Sequence, residues 1–320
     1  MINSYELLPG VVVFEGILDD PQKFTDIIVK SEINNDKNSP IGSWYKWNPW
    51  GVLANFDENT KKNGSEDDYI LDQIFSKYWE AVKEYKNKYN IDIYTYGQWD
   101  IDVEMPESRE DIIFRRNSNL HTWGPGDVTI LKYEETTKEH ILMNGPIELA
   151  MAYHVDRQPR QSGRGKHNHV LTLTFYPNDN YDGGNISFIN LSNSVEREFI
   201  DNNGNTRKCI MIDEPITYKP KAGDLTVFPS GQPFYHGVLP VSNGQKYLVR
   251  TFLTAYSPET NEWTQGLIDN GLEKMLELEK ELIKKASAAN EHQIMVFRDV
   301  NDLAISENMV PYIIRKSEID

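Results

Sequence analysis

The amino-acid sequence predicts a mainly β protein, a sandwich or barrel with helices before and after it. Two observations carry this prediction. From about residue 95 to residue 256, short β-rich runs alternate with turns rich in Gly, Asn, Asp and Pro, a pattern typical of sandwiches and barrels. On either side, apolar residues recur at helical spacing. We therefore expect a single domain, with support elements in residues 1–94, the β core in 95–256 and a helical extension in 257–320.

Composition narrows the class of protein. The 320-residue chain is long enough for a sizeable core. Its net charge of −16 disfavours nucleic-acid and membrane partners. Cys209 is the single cysteine, which excludes an internal disulfide and a cysteine-based zinc cluster. With no secretory signal and no apolar run long enough to cross a membrane, we expect a cytoplasmic location.

The first ninety residues mix a strand with helices. "VVVFEGIL" (11–18) is rich in β-branched residues and predicts a strand. Asp20 then suits a helix N-cap and Pro21 the first helical position. A second helix is predicted over 65–85, where apolar residues recur every four positions. Between them, the tryptophan-rich segment 43–50 is interpreted as irregular, either packing on the core or covering a substrate.

Three later segments have distinctive compositions. "DNNGN" at 201–205 contains Asn-Gly, a strong hairpin signal, so residues 192–213 should form a hairpin that projects from the main sheet. Residues 157–167 carry four basic side chains, which form either a solvated loop or an attraction site for an acidic substrate. Residues 258–286 predict helix, interrupted by glycines.

The segment "AYHVDRQ" (152–158) contains His154 and Asp156, two positions apart. On a strand, such residues point to the same side. Composition alone would produce about one such pair in a chain of this size, so the pair needs a third ligand to define a metal site. His236, further along the chain, can supply it.

Other histidines are weaker candidates. His167 and His169 form a rival His-x-His pair, but nothing downstream offers partners comparable with His236. We interpret them as surface residues or residues near the site. The remaining histidines are interpreted as ordinary polar residues: His121, His140 and His292.

The order of motifs between residues 128 and 256 resembles the iron(II)- and 2-oxoglutarate-dependent dioxygenases, in particular their prolyl 4-hydroxylase-like branch. Members carry His-x-Asp, a Gly-Asp turn before a strand with Phe, a distal His, and Lys or Arg about ten residues later. The corresponding residues here are His154 and Asp156, Gly223 and Asp224 with Phe228, His236, and Lys246. The segment "HGVLPVSNGQKY" (236–247) resembles the distal-histidine segment closely.

The resemblance implies a double-stranded β-helix core of the jelly-roll, cupin-like type. It also implies that His154, Asp156 and His236 bind Fe(II), a facial triad that leaves three coordination positions open. 2-Oxoglutarate and O2 would be cosubstrates, with ascorbate as an optional accessory. Lys246 would bind the far carboxylate of 2-oxoglutarate, and Arg250, on the same strand face, competes for that role.

Two tyrosines complete the implied cosubstrate site. Tyr176 matches a tyrosine whose hydroxyl contacts the cosubstrate carboxylate, although a packing role at a strand end is an equal alternative. Tyr133 resembles the tyrosine before the His-x-Asp strand, but here the longer segment 134–148 replaces the family's Gly-rich link. "YDGGNISF" (181–188) resembles the family's Gly-Gly turn, which lets a strand start close to the site.

The implied reaction is hydroxylation of an unactivated C–H bond. The triad carboxylate Asp156 favours hydroxylation over halogenation, because related halogenases have a small residue there. A peptidyl or free amino acid is the expected substrate, and other small molecules stay open, as does the oligomeric state. Substrate specificity should come from three segments, residues 43–50, 157–167 and 192–213. The alternatives are a non-catalytic cupin-like metal- or ligand-binding protein, and a zinc or manganese cupin, for which Lys246 has no use.

Overall fold

The structure is a computed structural model. It describes residues 2–30, 41–47, 64–89, 122–125, 128–144, 147–156, 168–189, 195–200, 204, 206–212, 214–231, 234–256 and 313–315. Two α-helices lie within these residues, namely α1 (Pro21–Lys30) and α2 (Gly64–Tyr89), together with a single 3-10 turn at Lys138–His140.

The rest is mainly β. The strands up to the metal-binding motif are β1 (Ser4–Leu8), β2 (Val11–Phe14), β3 (Ile41–Trp47), β4 (Thr122–Pro125), β5 (Val128–Tyr133), β6 (Leu142–Asn144), β7 (Ile147–Leu149) and β8 (Met151–His154). Those after it are β9 (Asn168–Tyr176), β10 (Asp182–Gly183), β11 (Ile186–Phe188), β12 (Val195–Ile200), β13 (Thr206–Ile212), β14 (Ile216–Tyr218), β15 (Asp224–Pro229), β16 (His236–Val238), β17 (Val241–Asn243), β18 (Lys246–Tyr256) and β19 (Ile313–Arg315).

Two antiparallel sheets form the core. The larger has the order β1-β2-β15-β9-β18-β5-β3, with β4 also paired to β18. The smaller has the order β14-β11-β16-β8. Sequence neighbours are rarely sheet neighbours, as expected when a chain winds between two facing sheets. This is the double-stranded β-helix, and it confirms the predicted mainly β core.

Alternation along the large sheet decides what faces the smaller sheet. In β2, Val12 and Phe14 belong to the cluster that includes the helices, whereas Val11 and Val13 pack with residues of β11 and β14. The same alternation continues in β9, β15 and β18. Consequently, alternate residues of the large sheet line the interior between the two sheets.

The helices cover the outer face of the large sheet. Phe24, Ile27 and Ile28 of α1 are buried, as are Tyr78 and Val82 of α2. The predicted cap at the start of α1 is confirmed, because Asp20 Oδ1 accepts a hydrogen bond from the backbone amide of Lys23 at 3.0 Å. Burying this apolar face removes a large area from water and fixes the sheet between helices and the interior.

Some sequence-based expectations need correction. The segment interpreted as irregular is largely a strand: β3 pairs with β5 along Ile41–Trp47. Its pairing partner lies far along the chain, so no local signal shows it. The predicted hairpin forms as β12 and β13 in a separate sheet, and Ile200 pairs with Thr206, which leaves a five-residue loop. The last thirty residues, which have no clear period, contribute β19, paired in parallel with β13.

Three predicted segments lie outside the described residues: the basic loop 157–167, Trp50 and the helix over 258–286. Among the described helices, none has the length and apolar character needed to cross a membrane.

Candidate metal and cosubstrate site

Two paired strands of the small sheet bring the two candidate histidines together. β8 ends at His154 and β16 begins at His236, and these two residues are partners in the antiparallel register. Gly237 makes the close approach possible, because a Cβ there would lie 2.8 Å from the carbonyl oxygen of Met151. The imidazole ring centroids are 4.5 Å apart.

Asp156 lies just past the end of β8, not on the strand as the sequence suggested. Its carboxylate still reaches both imidazoles. Asp156 Oδ1 is 3.7 Å from His154 Nε2, and Oδ2 is 3.3 Å from His236 Nε2. All three ligand atoms lie within 4.8 Å of one another, so one metal ion could be bound by all three side chains.

The orientation of both rings suits metal binding. His154 Nδ1 is 2.8 Å from the carbonyl oxygen of Ala152, and His236 Nδ1 is 3.2 Å from that of Phe234. A carbonyl can only accept, so each Nδ1 carries a proton, and Nε2, the nitrogen that faces Asp156, is the one that a metal would bind. Burial also lowers the pKa of His236, which favours the neutral imidazole that a metal requires.

Both carboxylate oxygens of Asp156 are held in place. The hydroxyl of Thr172 donates to Oδ2 at 2.8 Å and lies 2.9 Å from the Ser230 hydroxyl. Arg250 Nη1 donates to Oδ1 at 2.9 Å. Thr172 and Arg250 belong to adjacent strands β9 and β18, so the large sheet orients a ligand that the small sheet supplies.

Charge keeps this buried carboxylate ionised. Burial by itself would raise the pKa of Asp156, but the neighbouring His236 and the guanidinium of Arg250 outweigh it and hold the pKa well below its usual range. An ionised carboxylate and two imidazoles that bind through Nε2 form the donor set of non-haem Fe(II) centres.

The candidate cosubstrate lysine lies at the start of β18. Lys246 is fully buried, and its Nζ donates to the carbonyl oxygen of Gly184 at 2.7 Å. Its Nζ also lies 5.5 and 5.6 Å from the ring centroids of Tyr133 and Tyr176. Burial, with a contribution from the charge of Lys219, lowers the pKa of Lys246 to about 7.

The structure separates the two competing cations. Both face the interior from β18, but Arg250 contacts Asp156 whereas Lys246 lies four residues earlier, roughly 13 Å along an extended strand. Among the described residues, no carboxylate pairs with Lys246. A buried ammonium without an anion is costly, whereas Arg250 already has a carboxylate partner in Asp156.

Both candidate tyrosines are fully buried near Lys246. Tyr133 is the register partner of Lys246, and its hydroxyl contacts the sulfur of Met151 at 3.4 Å. The Tyr176 hydroxyl lies 3.2 Å from Thr226 Oγ1. The longer link after Tyr133 contains a 3-10 turn followed by the β6–β7 hairpin. Tyr133 still lies beside Lys246.

A third buried phenol in this cluster, Tyr181, escaped the sequence analysis. It packs with Tyr133 and Tyr176 in one group of buried residues. Its place directly before the Gly-Gly turn was the available signal, but nothing in the sequence shows that its side chain is buried.

The remaining histidines lie elsewhere or outside the described residues. His140 belongs to the 3-10 turn and its Nδ1 is 2.8 Å from Thr137 Oγ1. His169 lies near the start of β9. Within the described part of the chain, the triad is the only group of three metal-binding side chains found together. His121, His167 and His292 lie outside it.

The family comparison agrees with this geometry. Residues 147–256 match the model of the 2OG-Fe(II) oxygenase superfamily. This match spans β8, β16 and β18, and therefore every candidate metal and carboxylate-binding residue except Tyr133. No curated protein matches the chain.

Several solved structures are similar. A viral collagen prolyl hydroxylase from Paramecium Bursaria Chlorella virus-1, in complex with 2OG, is 14% identical over 77% of this chain and 96% of its own, with a TM-score of 0.38. A prolyl hydroxylase from Trichoplax adhaerens, in complex with a hypoxia inducible factor peptide, is 12% identical over 81% of this chain and 86% of its own, with a TM-score of 0.36. The dioxygenase for auxin oxidation 1 from Arabidopsis thaliana is 12% identical over 77% of this chain and 84% of its own, with a TM-score of 0.45. Similarities this low carry no information about the substrate.

The fold, the triad and the match of residues 147–256 to the 2OG-Fe(II) oxygenase superfamily model all indicate one class of protein, the Fe(II)- and 2-oxoglutarate-dependent oxygenases.

Proposed function

We propose that this protein is a hydroxylase in which His154, Asp156 and His236 bind Fe(II) and Lys246 binds the distal carboxylate of 2-oxoglutarate. The observation that carries the proposal is the triad itself. Two imidazole nitrogens and one ionised carboxylate converge within 4.8 Å, and both imidazoles are oriented by backbone carbonyls.

Lys246 supports the second half of the proposal. It is buried at one end of the interior with a carbonyl as its hydrogen-bond acceptor, which leaves its charge uncompensated among the described residues. A carboxylate beside it would raise the pKa of Lys246 again and restore the ammonium ion. Arg250, paired with Asp156 at the metal end, is better placed to orient that ligand than to bind the distal carboxylate.

The chain's own residues then have separate tasks. When bound, Fe(II) with 2-oxoglutarate and O2 supplies the oxidation that converts C–H to C–OH, with release of succinate and CO2. Thr172 and Arg250 fix the carboxylate of Asp156. Tyr133 and Tyr176 form the walls around Lys246, where their rings exclude water and strengthen its charge interactions.

For the substrate, we propose a peptidyl or free amino acid. The support is the likeness of the segment from His236 to Tyr247 to prolyl 4-hydroxylases. We further propose a cytoplasmic location without nucleic-acid partners, supported by the single cysteine and the net charge of −16. Succinate release with a panel of peptides and amino acids tests the substrate class, and retention on a polyanion column at low salt would contradict the partner prediction.

Anaerobic titration tests the metal site. The purified protein is loaded with Fe(II) and then titrated with 2-oxoglutarate while the visible charge-transfer band is recorded. The native protein should develop the band, His154→Ala should lose it, and Lys246→Met should require far more 2-oxoglutarate.

Matched controls separate site effects from general damage. His140→Ala removes a histidine outside the triad, and Lys132→Met removes a partly buried lysine that pairs with Glu134 on the protein surface. Both should behave like the native protein. An iron-loaded native protein without the band would refute the proposed function and leave the non-catalytic cupin-like reading.

A further inference from the structure

Tyr181 has a buried hydroxyl group that no described residue satisfies. The residue is 4% exposed, and its Oη has no hydrogen-bond partner in the described part of the chain. In the same cluster, the hydroxyls of Tyr133 and Tyr176 both have contacts. Because a buried donor without an acceptor costs free energy, such a group in a ligand site points to an acceptor that the ligand supplies.

The ring of Tyr181 lies beside Lys246. A Cβ placed on Gly184 would be 3.1 Å from Tyr181 Cε2 and 3.3 Å from Lys246 Cδ. The two side chains therefore flank the same glycine, whose φ of 63° lets the backbone pass between them. Tyr181 and Lys246 are thus buried neighbours on either side of the Gly-Gly turn.

A second lysine stacks on the same tyrosine. Lys219 Nζ lies 3.4 Å from the ring centroid of Tyr181 and donates to the carbonyl oxygens of Tyr181 and Gly183. The adjacent carbonyl of Gly184 accepts from Lys246. The Gly-Gly turn therefore holds two ammonium groups, one buried and one partly exposed. A cation over a phenol ring draws electron density from it and makes its O–H a better donor.

We propose that the Tyr181 hydroxyl donates a hydrogen bond to the distal carboxylate of 2-oxoglutarate, beside Lys246, and that Lys219 strengthens this donor. The inference rests on the proposed function. A carboxylate has two oxygens that accept several hydrogen bonds, so it can bind an ammonium and a phenol together. Burial raises the pKa of Tyr181, so the phenol keeps the proton that it donates.

The experiment measures binding, not turnover. Fe(II)-loaded protein is titrated anaerobically by calorimetry with 2-oxoglutarate and, separately, with 2-oxopentanoate, which has the same 2-oxo acid head but no distal carboxylate. Tyr181→Phe should weaken 2-oxoglutarate binding about tenfold, the usual effect of losing a hydrogen bond to a charged group. Its affinity for 2-oxopentanoate should stay within about twofold of native.

Two further variants sharpen the comparison. Lys219→Met should weaken 2-oxoglutarate binding by roughly twofold to threefold, as expected for a partly exposed cation. Tyr247→Phe is the matched control, since it removes a hydroxyl from the opposite face of β18, where it bonds Gln245. It should bind both ligands like the native protein.

Thermal unfolding of the ligand-free variant distinguishes a role of Tyr181 in ligand binding from a role in stabilising the fold. Tyr181→Phe replaces an unsatisfied donor by an apolar atom, so the ligand-free variant should unfold at the native temperature or above it. A large drop in that temperature, equal losses for both ligands, or unchanged 2-oxoglutarate affinity would each overturn the proposal for Tyr181. A native protein that fails to bind 2-oxoglutarate would instead refute the proposed function itself.

Discussion

2-Oxoglutarate binding should weaken as the pH rises above neutrality, because Lys246 must carry a proton to bind a carboxylate. In the ligand-free protein, burial and the charge of Lys219 lower the pKa of Lys246 to about 7. Burial raises the pKa of the surrounding phenols, namely Tyr133, Tyr176 and Tyr181, so they stay neutral through this range. The pKa of Lys219 is lowered too, but its side chain is partly exposed, so Lys246 is the buried group that we expect to titrate near neutrality.

The size of the effect follows from the fraction of protonated lysine. With a pKa of about 7, roughly nine tenths of Lys246 is charged at pH 6 and one tenth at pH 8. If the charged form alone binds, the apparent Kd rises about tenfold between these values, or about 1.4 kcal/mol. The sign is fixed by the anion, which raises the pKa of Lys246 in the complex, so binding takes up a proton.

Calorimetry in buffers with different ionisation enthalpies measures this proton directly. At pH 8, Fe(II)-loaded protein should take up close to one proton for each 2-oxoglutarate bound, and at pH 6 almost none. Lys246→Arg supplies a cation that stays charged at both values and should remove the proton uptake. Equal affinity at pH 6 and pH 8 in the native protein would refute the reasoning.

Three other substitutions have distinct expected outcomes. Lys246→Met removes a buried charge, so the ligand-free protein should gain about 1–2 kcal/mol of stability in urea unfolding while its stabilisation by 2-oxoglutarate disappears. Thr172→Val removes the donor to Asp156 and should weaken metal binding about 10- to 100-fold by equilibrium dialysis. Gly237→Ala should abolish metal binding in the same assay, because its Cβ would lie 2.8 Å from the Met151 carbonyl and push the paired strands apart.

Each of these has a control outside the site. Lys132→Met should leave both stability and ligand response close to native. Thr25→Val removes a hydroxyl that bonds the carbonyls of Pro21 and Pro177, so it should cost some stability but leave metal affinity unchanged. Gly16→Ala meets open space at a φ of 58° and should cost about 1 kcal/mol through backbone strain alone. A Gly237→Ala protein with native metal affinity would show that β8 and β16 tolerate separation.

The order of the motifs in the sequence was enough to predict the chemistry. His154, Asp156, His236 and Lys246 follow one another as the corresponding residues do in the family that the sequence resembles. Strand content was also predictable, because β-branched side chains in runs between turn residues fit the pleated, half-buried surface of a sheet. These features depend on residues near one another in sequence, or on a pattern shared by a family.

Pairings and burial were not predictable in this way. Segment 43–50 begins within strand β3, and residues 313–315 pair with β13. Both features depend on pairing partners that are distant in sequence. Asp156 lies beyond the end of β8, although its spacing of two residues from His154 suggested that both residues belong to one strand. A strand's length is decided where its partner ends, and no local pattern records that position.

The sequence by itself determined which side chains could form the site, and the tertiary structure decided where each of them lies and what it contacts. Lys246 and Arg250 share one face of one strand, and spacing alone left both as candidates for the cosubstrate carboxylate. Only the folded sheets show that Arg250 faces Asp156 while Lys246 is buried beside Gly184 and Tyr181. The physical reason is that the electrostatic environment of a charged side chain depends on which charges lie near it across the interior. Those neighbours come within reach only after the two sheets have packed.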